Sequence, residues 1–179
     1  MGNARQMVIQ QSVSKAKNTP VKDETVIIAA DTVILFNGMT MGKPRNQQEA
    51  RRILEMINGK KHTALTGFTI FDTVSGKKYS EAVETSVFMK PMTTTEIEVY
   101  VDTGEPMDKA GAYAIQGMGA VFIERIDGEY SNVVGLPLCA LANALLKEFG
   151  IDVFDSTRNI VQNENDNGKW DLIGDPEGI

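Results

Sequence analysis

The chain has 179 residues, of which 42% are hydrophobic and 23% are charged, and these proportions are typical of a globular protein rather than a disordered one. Its 24 aspartates and glutamates outnumber its 18 lysines and arginines, and the formal charge of −6 argues against a general binder of nucleic acids or anionic membranes. Small phosphorylated ligands remain open, because they need only a few local cations.

Cysteine and histidine each occur once, at Cys139 and His62. These numbers exclude an intramolecular disulfide, a thiolate zinc site and a two-histidine metal site. We expect Cys139 to serve packing and His62 to be a surface or half-buried residue. No apolar stretch reaches the roughly 18 residues of a membrane span, and the N-terminus shows no secretory pattern. We therefore expect a cytoplasmic protein with no membrane partner and no nucleic-acid polymer as partner.

Helical and extended patterns alternate along the chain. Residues 3–18 are weakly helical, residues 25–36 are typical of a strand buried on both faces, and Asn37-Gly38 favours a tight hairpin turn. Caps, apolar periodicity and turn residues predict the later elements: a helix from Asn46, with Glu49 in a capping box, to Gly59; strands 62–74 and 79–90; a helix from Thr93 to near Gly104; strands 120–126 and 129–134; and a helix from Pro137 to Gly150. This order predicts an α+β fold or an α/β fold with a mixed sheet.

The composition changes near the end of the chain. Residues 155–179 carry six acidic and two basic side chains, a net charge of −4, with few residues suited to a core. We expect a folded domain over residues 1–154 and a flexible, acidic, non-catalytic tail over residues 155–179.

Asp31 is an acidic residue inside an otherwise apolar strand. A carboxylate in such a place must be paired, bind a cation or take up a proton, because an isolated buried charge is costly. General bases and metal ligands are found at such positions. The alternative is a structural aspartate that accepts hydrogen bonds from backbone amides at a bulge or strand end.

Two later segments also have residue types suited to a phosphorylated ligand. Lys43 lies between Gly42 and Pro44, where it can present a fixed cation to a phosphate or be an ordinary surface lysine. Residues 105–119 combine several glycines with Lys109, a cation, and Gln116, whose amide can read the edge of a base. By itself, this second segment could equally be a long connector rich in turns.

Taken in order, these segments resemble the family of Maf-like proteins over about residues 8–154. The motifs that carry the resemblance are Ser14-Lys15-Ala16, Ala30-Asp31-Thr32-Val33, Gly42-Lys43-Pro44, Glu49-Ala50, Leu54, Gly59-Lys60 with His62, Thr66-Gly67, the run from Gly104 to Gly117, and Asn132-Val133-Val134-Gly135-Leu136-Pro137-Leu138. The resemblance implies a two-lobed α/β fold with a mixed sheet, related to inosine-triphosphate pyrophosphatases, and a site in the cleft. It also implies a nucleoside triphosphate pyrophosphatase, which hydrolyses the α–β phosphoanhydride to a nucleoside monophosphate and diphosphate.

The resemblance also implies roles for individual residues. Asp31 would be the proton acceptor, activating water either directly or through a divalent cation, Mg or Mn, of which it would then be a ligand. Lys15, Lys43 and Lys109 would contact the triphosphate. Thr32 and Gln116 match the branch of the family that acts on dTTP and UTP rather than its sister branch, which acts on 7-methyl-GTP. The family tends to form dimers, so a homodimer is implied as well.

The family's Ser-x-Ser-Pro-Arg-Arg phosphate loop has no counterpart in residues 1–13. We therefore expect an N-terminally truncated version of the fold, whose full-length parent is active and which as written is weak or inactive. The alternatives are a non-catalytic nucleotide-binding regulator, in line with the family's association with septum formation and the arrest of cell division, and a truncated domain with no function of its own.

Overall fold

The computed structural model describes residues 2–21 and 24–155, and most of the predicted acidic tail lies outside them. The described strands are β1 Val26–Phe36, β2 Met39–Met41, β3 Lys61–Asp72, β4 Lys78–Met89 and β5 Ile123–Asp127. The described helices are α1 Gly2–Asn18, α2 Gln47–Ile57, α3 Thr94–Asp102, α4 Tyr130–Val134 and α5 Leu138–Phe149, with short 3-10 segments at Glu105–Asp108, Ala110–Ala112 and Met118–Phe122.

The five strands form one sheet in the order β2-β1-β3-β4-β5, and every described pair is antiparallel. The predicted α/β class is confirmed. The predicted turn joins β1 to β2, with φ of 48° at Asn37 and 79° at Gly38. Because β2 pairs with β1 only from Ile34 to Phe36, the middle of β1 has a described strand partner on the β3 side alone. A sheet edge is therefore open around Asp31.

Helices cover both faces of the sheet. Odd-numbered residues of β3, such as Leu65 and Thr69, face α1, and the hydroxyl groups of Thr69 and Ser12 lie 2.7 Å apart. Even-numbered residues of β3 face the opposite way, because successive side chains of a strand alternate. Phe68 and Ile70 pack there against α5, while Ala64 belongs to the larger core under α2 and α3.

The expected burial of β1 on both faces is only partly observed. Val33, Ile34 and Phe36 are buried, whereas Ile28 is 42% exposed. The exposed part of β1 is the part with no strand on its outer side, so the apolar run reflects a strand at the edge of the sheet rather than a fully enclosed one.

Local capping follows the sequence closely, with one difference. Asn46 Oδ1 accepts a hydrogen bond from Glu49 N at 2.8 Å, as expected for an N-cap. The carboxylate of Glu49 turns instead to Arg45, whose backbone amide and guanidinium both donate to it. The box at α2 is therefore only half formed, whereas Thr93 and Glu96 form a complete capping box at the start of α3.

The prediction of a strand at 129–134 is wrong, because Tyr130–Val134 is the short helix α4. Its start is fixed by Glu129 Oε1, which accepts hydrogen bonds from Ser131 Oγ within α4 and from Cys139 N in α5. Asn132 is fully buried and donates to Ala64 O and Thr85 Oγ1. These contacts with distant residues override the strand preference of the neighbouring valines. The strand predicted at 120–126 also begins later, since Met118–Phe122 is a 3-10 segment.

Candidate active site

A cleft of about 570 Å³ opens where β1 has no outer strand partner among the described residues. Its lining includes all six side chains that the sequence analysis selected, namely Lys15, Asp31, Thr32, Lys43, Lys109 and Gln116. They come from α1, from β1, from the loop after β2 and from the segment after α3. The fold thus brings together residues that are up to about a hundred positions apart in the chain.

Asp31 lies in this cleft and is paired with Lys15. Lys15 Nζ is 2.6 Å from Asp31 Oδ1 and also donates to Ala30 O at 2.9 Å. The Asp31 side chain keeps 24% of its surface exposed, and that of Lys15 keeps 53%. The carboxylate in the apolar strand therefore has both a cationic partner and access to the cleft. These two features offset the free-energy cost of a charge among apolar residues.

Lys43 and Lys109 lie on two loops that are joined by one backbone hydrogen bond, from Gly111 N to Gly42 O at 3.0 Å. Lys109 Nζ is 2.6 Å from Asp108 Oδ1. Lys43 makes no ion pair and no hydrogen bond within the described part of the chain, although its charge reaches Asp108. The hydrogen bond from Lys109, and to a smaller extent the charges of Lys109 and Lys43, lower the pKa of Asp108.

Thr32 lies on the opposite face of β1 from Asp31 and is held by a chain of hydroxyl groups. Its Oγ1 is 2.9 Å from Thr66 Oγ1 and 3.4 Å from Gly135 O. Thr66 Oγ1 donates in turn to Asn132 O at 3.1 Å. The α4 turn, for which the sequence predicts a strand, thus supports the wall of the cleft that carries Thr32.

Gln116 is exposed and lies in the segment between the buried residues Ala114 and Gly119. Tyr113 also lines the cleft, although it did not stand out in the sequence from the glycine-rich run around it. Its hydroxyl is 2.7 Å from Nε2 of His62, which is only 2% exposed. The expectation of a surface or half-buried histidine is therefore wrong, and burial lowers the pKa of His62 to about 4.

The expectation that Cys139 serves packing is also wrong, since this residue is exposed at the start of α5. Its backbone N–H donates a hydrogen bond to Glu129 Oε1, and its sulfur lies 3.8 Å from Asn143 Nδ2. The cysteine lies outside the residues that line the cleft.

One carboxylate of the cleft, that of Asp31, could hold a divalent cation. No group of three or more potential ligand side chains occurs in residues 2–21 and 24–155. Magnesium, however, is usually held by one or two carboxylates together with phosphate oxygens and water. Asp31 Oδ1 accepts from Lys15, while no described residue bonds to Oδ2. Asp31 therefore fits the role of a single protein ligand to such a cation.

The fold and the cleft together define an α/β protein whose cleft brings two carboxylates, Asp31 and Asp108, together with three ammonium groups. The chain belongs to the family of Maf-like proteins, whose family model matches residues 2–148. Within the described residues, no helix is both long enough and apolar enough to cross a membrane.

Several relatives carry the same name. A dTTP/UTP pyrophosphatase from Methanococcoides burtonii is 49% identical over 154 residues, which cover 86% of this chain and 78% of that protein. One from Alkaliphilus metalliredigens is 52% identical over 130 residues, covering 73% of this chain and 67% of the relative. A third, from Methanosarcina barkeri, is 40% identical over 152 residues, covering 84% and 77%.

Proposed function

We propose that this chain is a nucleoside triphosphate pyrophosphatase that hydrolyses dTTP and UTP to the monophosphate and diphosphate. The observation that carries the proposal is the meeting of Asp31 with Lys15, Lys43 and Lys109 in one cleft. The relatives named dTTP/UTP pyrophosphatase support it independently.

The three lysines suit a triphosphate. Charge on the phosphate oxygens must be neutralised while the phosphoanhydride bond breaks, and fixed cations stabilise that charge best where water is partly excluded. Lys43 has no anionic partner of its own in the described structure, so it can bind a phosphate without first breaking an ion pair. Lys15 and Lys109 each contact a carboxylate, which fixes their ammonium groups at the cleft.

Asp31 is proposed as the proton acceptor. Water attacks the α-phosphorus, the bond from that phosphorus to the bridging oxygen breaks, and diphosphate leaves with the bonding electrons. The proton of the attacking water passes to the Asp31 carboxylate, whose Oδ2 has no described partner, while Lys15 holds Oδ1. In the alternative, Asp31 would hold a divalent cation, Mg or Mn, through Oδ2 and act on water through it. The bound cation would lower the pKa of that water and neutralise phosphate charge.

Thr32 and Gln116 are proposed to select the base. They line the cleft beside the lysines, and a hydroxyl and an amide can each donate or accept hydrogen bonds at the edge of a pyrimidine. Thr66 and the α4 turn hold Thr32 in place, whereas Gln116 depends on the conformation of its own segment.

The test is release of diphosphate from dTTP and UTP in the presence of Mg or Mn, with ATP and GTP as comparisons and a parallel titration of nucleotide binding. We expect release from the two pyrimidine nucleotides and a loss of kcat/KM of about 100-fold in Lys43→Ala, since this variant lacks a cation at the phosphates. Lys147→Ala, a change of an exposed lysine on α5, is the matched control and should behave like the unaltered chain.

Binding of dTTP or UTP without release of diphosphate would contradict the enzyme and favour the nucleotide-binding regulator. Equal activities of the two lysine variants would remove Lys43 from the site.

A further inference from the structure

The segment that carries Gln116 is held at both of its ends by one pair of side chains, Tyr100 and Glu105. Ala114 N donates to Tyr100 Oη at 3.1 Å, and Tyr100 Oη donates to Glu105 Oε1 at 2.8 Å. At the other end, Met118 N donates to Glu105 Oε2 and Gly119 N donates to Oε1, both at 2.8 Å. Residues 115–117 form the short span between these two attachments.

The fit between the pair and the segment is close. A Cβ atom at Gly117, where φ is 109°, would lie 2.6 Å from Glu105 Oε2, and one at Gly119 would lie 2.6 Å from Ala114 O. A side chain at Gly117 would push against the carboxylate, and one at Gly119 would push against Tyr100 Oη and the backbone of Ala114. The glycines therefore permit the conformation, and the carboxylate with its three donors fixes it.

Glu105 lies outside the residues that line the cleft, whereas Ile115 and Gln116 are among them. Burial raises the pKa of Glu105, but hydrogen bonds from two backbone amides and the Tyr100 hydroxyl lower it by more, so its pKa lies below the usual value. The side chain is thus a charged acceptor placed behind the segment and outside the lining of the cleft.

We propose that Glu105 is a positioning residue for base recognition, which holds the segment 114–119 so that Gln116 faces the cleft. This inference rests on the proposed function, because it assigns Gln116 to the base. Glu105 acts through Gln116 and makes no contact with the substrate. Its loss therefore weakens the binding of the base and leaves the binding of the triphosphate group nearly unchanged.

The experiment compares UTP with ribose 5-triphosphate, which lacks the base, in the unaltered chain and in Glu105→Gln. The glutamine keeps the size of the side chain, but its NH2 group is a donor and faces one of the backbone N–H donors, so that one hydrogen bond is lost. We expect kcat/KM and the binding constant for UTP to fall about 10-fold, as for a lost hydrogen bond to a charged group, and those for ribose 5-triphosphate to change less than twofold. Tyr100→Phe, which frees Ala114 N, should give a smaller change of the same kind.

Two further variants separate positioning from a general loss of stability. Glu96→Gln alters another carboxylate that accepts a backbone hydrogen bond, at the start of α3, and should leave the ratio between the two substrates unchanged. In a Gln116→Ala background, Glu105→Gln should have no further effect on that ratio. A thermal melt of each variant shows whether it is folded.

Equal losses with both substrates, or a further loss in the Gln116→Ala background, would overturn the inference. If UTP binds but diphosphate is not released, the proposed function fails, and the ratio of binding constants still decides the role of Glu105. If the unaltered chain binds neither compound, the proposed function and the inference both fail.

Discussion

At the scale of single residues, the pattern of the sequence identifies Asp31 but not the residue that forms an ion pair with it. An acidic side chain in an apolar strand stands out from the pattern alone, whereas its contact with Lys15 depends on how α1 lies across the sheet. Only the resemblance to the family pointed to Lys15. Tyr113 and Glu105 were not selected as site residues, because a tyrosine and a glutamate in a glycine-rich segment look no different from loop residues.

Replacing Asp31 by asparagine tests its role as proton acceptor. The amide keeps the size of the side chain but cannot take up the proton of the attacking water. We expect kcat for UTP to fall at least about 100-fold, while the binding constant for UTP changes by less than about threefold. A diphosphate-release assay beside a binding titration measures both values.

Asp102→Asn is the control for Asp31, since Asp102 is an exposed acid that contacts Arg51 of α2 and lies outside the residues that line the cleft. It should leave kcat unchanged. Turnover retained in Asp31→Asn would exclude this carboxylate from the chemistry.

At the scale of elements, the capped and periodic helices were predicted well, because their signals are local. The capping residues Asn46 and Thr93 and the left-handed turns at Gly59 and Gly150 all lie where expected. The failure at α4 has the opposite cause. There Glu129 and Ser131 bond to the first turn of α5, and such contacts cannot be read from a run of six residues.

The packing of α1 on β3 depends on Gly67. A Cβ atom at this position would lie 2.5 Å from the backbone carbon of Val8, and a backbone atom cannot move aside as the end of a side chain can. We expect Gly67→Ala to lower the free energy of unfolding by about 2 kcal/mol, the usual cost of an overpacked contact. Urea denaturation followed by circular dichroism measures it.

Gly42→Ala is the stability control, because nothing lies within 4 Å of a Cβ atom at that glycine. Its free energy of unfolding should match that of the unaltered chain. Equal stability of the two alanine variants would show that α1 does not pack as closely as described.

At the scale of the whole molecule, the sequence indicated which strands are hairpin neighbours but not the complete order of the sheet. The turn predicted at Asn37-Gly38 pairs β1 with β2, and the predicted strands 62–74 and 79–90, which follow each other closely in the chain, correspond to β3 and β4 and pair. β1 also pairs with β3, although β2 and α2 lie between them in the chain, and the sequence does not predict this pairing. It decides where the open edge of the sheet and the cleft lie. The position of the site thus depends on long-range contacts.

Stability should depend on pH through His62. Burial lowers the pKa of this imidazole from 6.5 to about 4. Below pH 6.5 the unfolded chain therefore binds a proton that the folded chain does not bind. The contribution of His62 to stability is therefore complete above pH 6.5 and is lost as the pH falls towards 4. Between pH 7.5 and pH 5 we expect a loss of about 2 kcal/mol from this group.

The measurement is urea denaturation at both pH values for the unaltered chain and for His62→Gln, which cannot take up that proton. Since all carboxylates are common to the two proteins, the difference between their pH dependences isolates the histidine. Parallel curves would show that the imidazole is already accessible to protons in the folded state.

The hydrogen bond between Gly111 N and Gly42 O has a consequence for which anions the cleft accepts. It ties the loop of Lys43 to the loop of Lys109, so the backbones that carry the two lysines keep a fixed spacing. A polyphosphate must therefore span a separation that the backbone has already set. The number of phosphates in the ligand then governs whether it contacts both lysines at once.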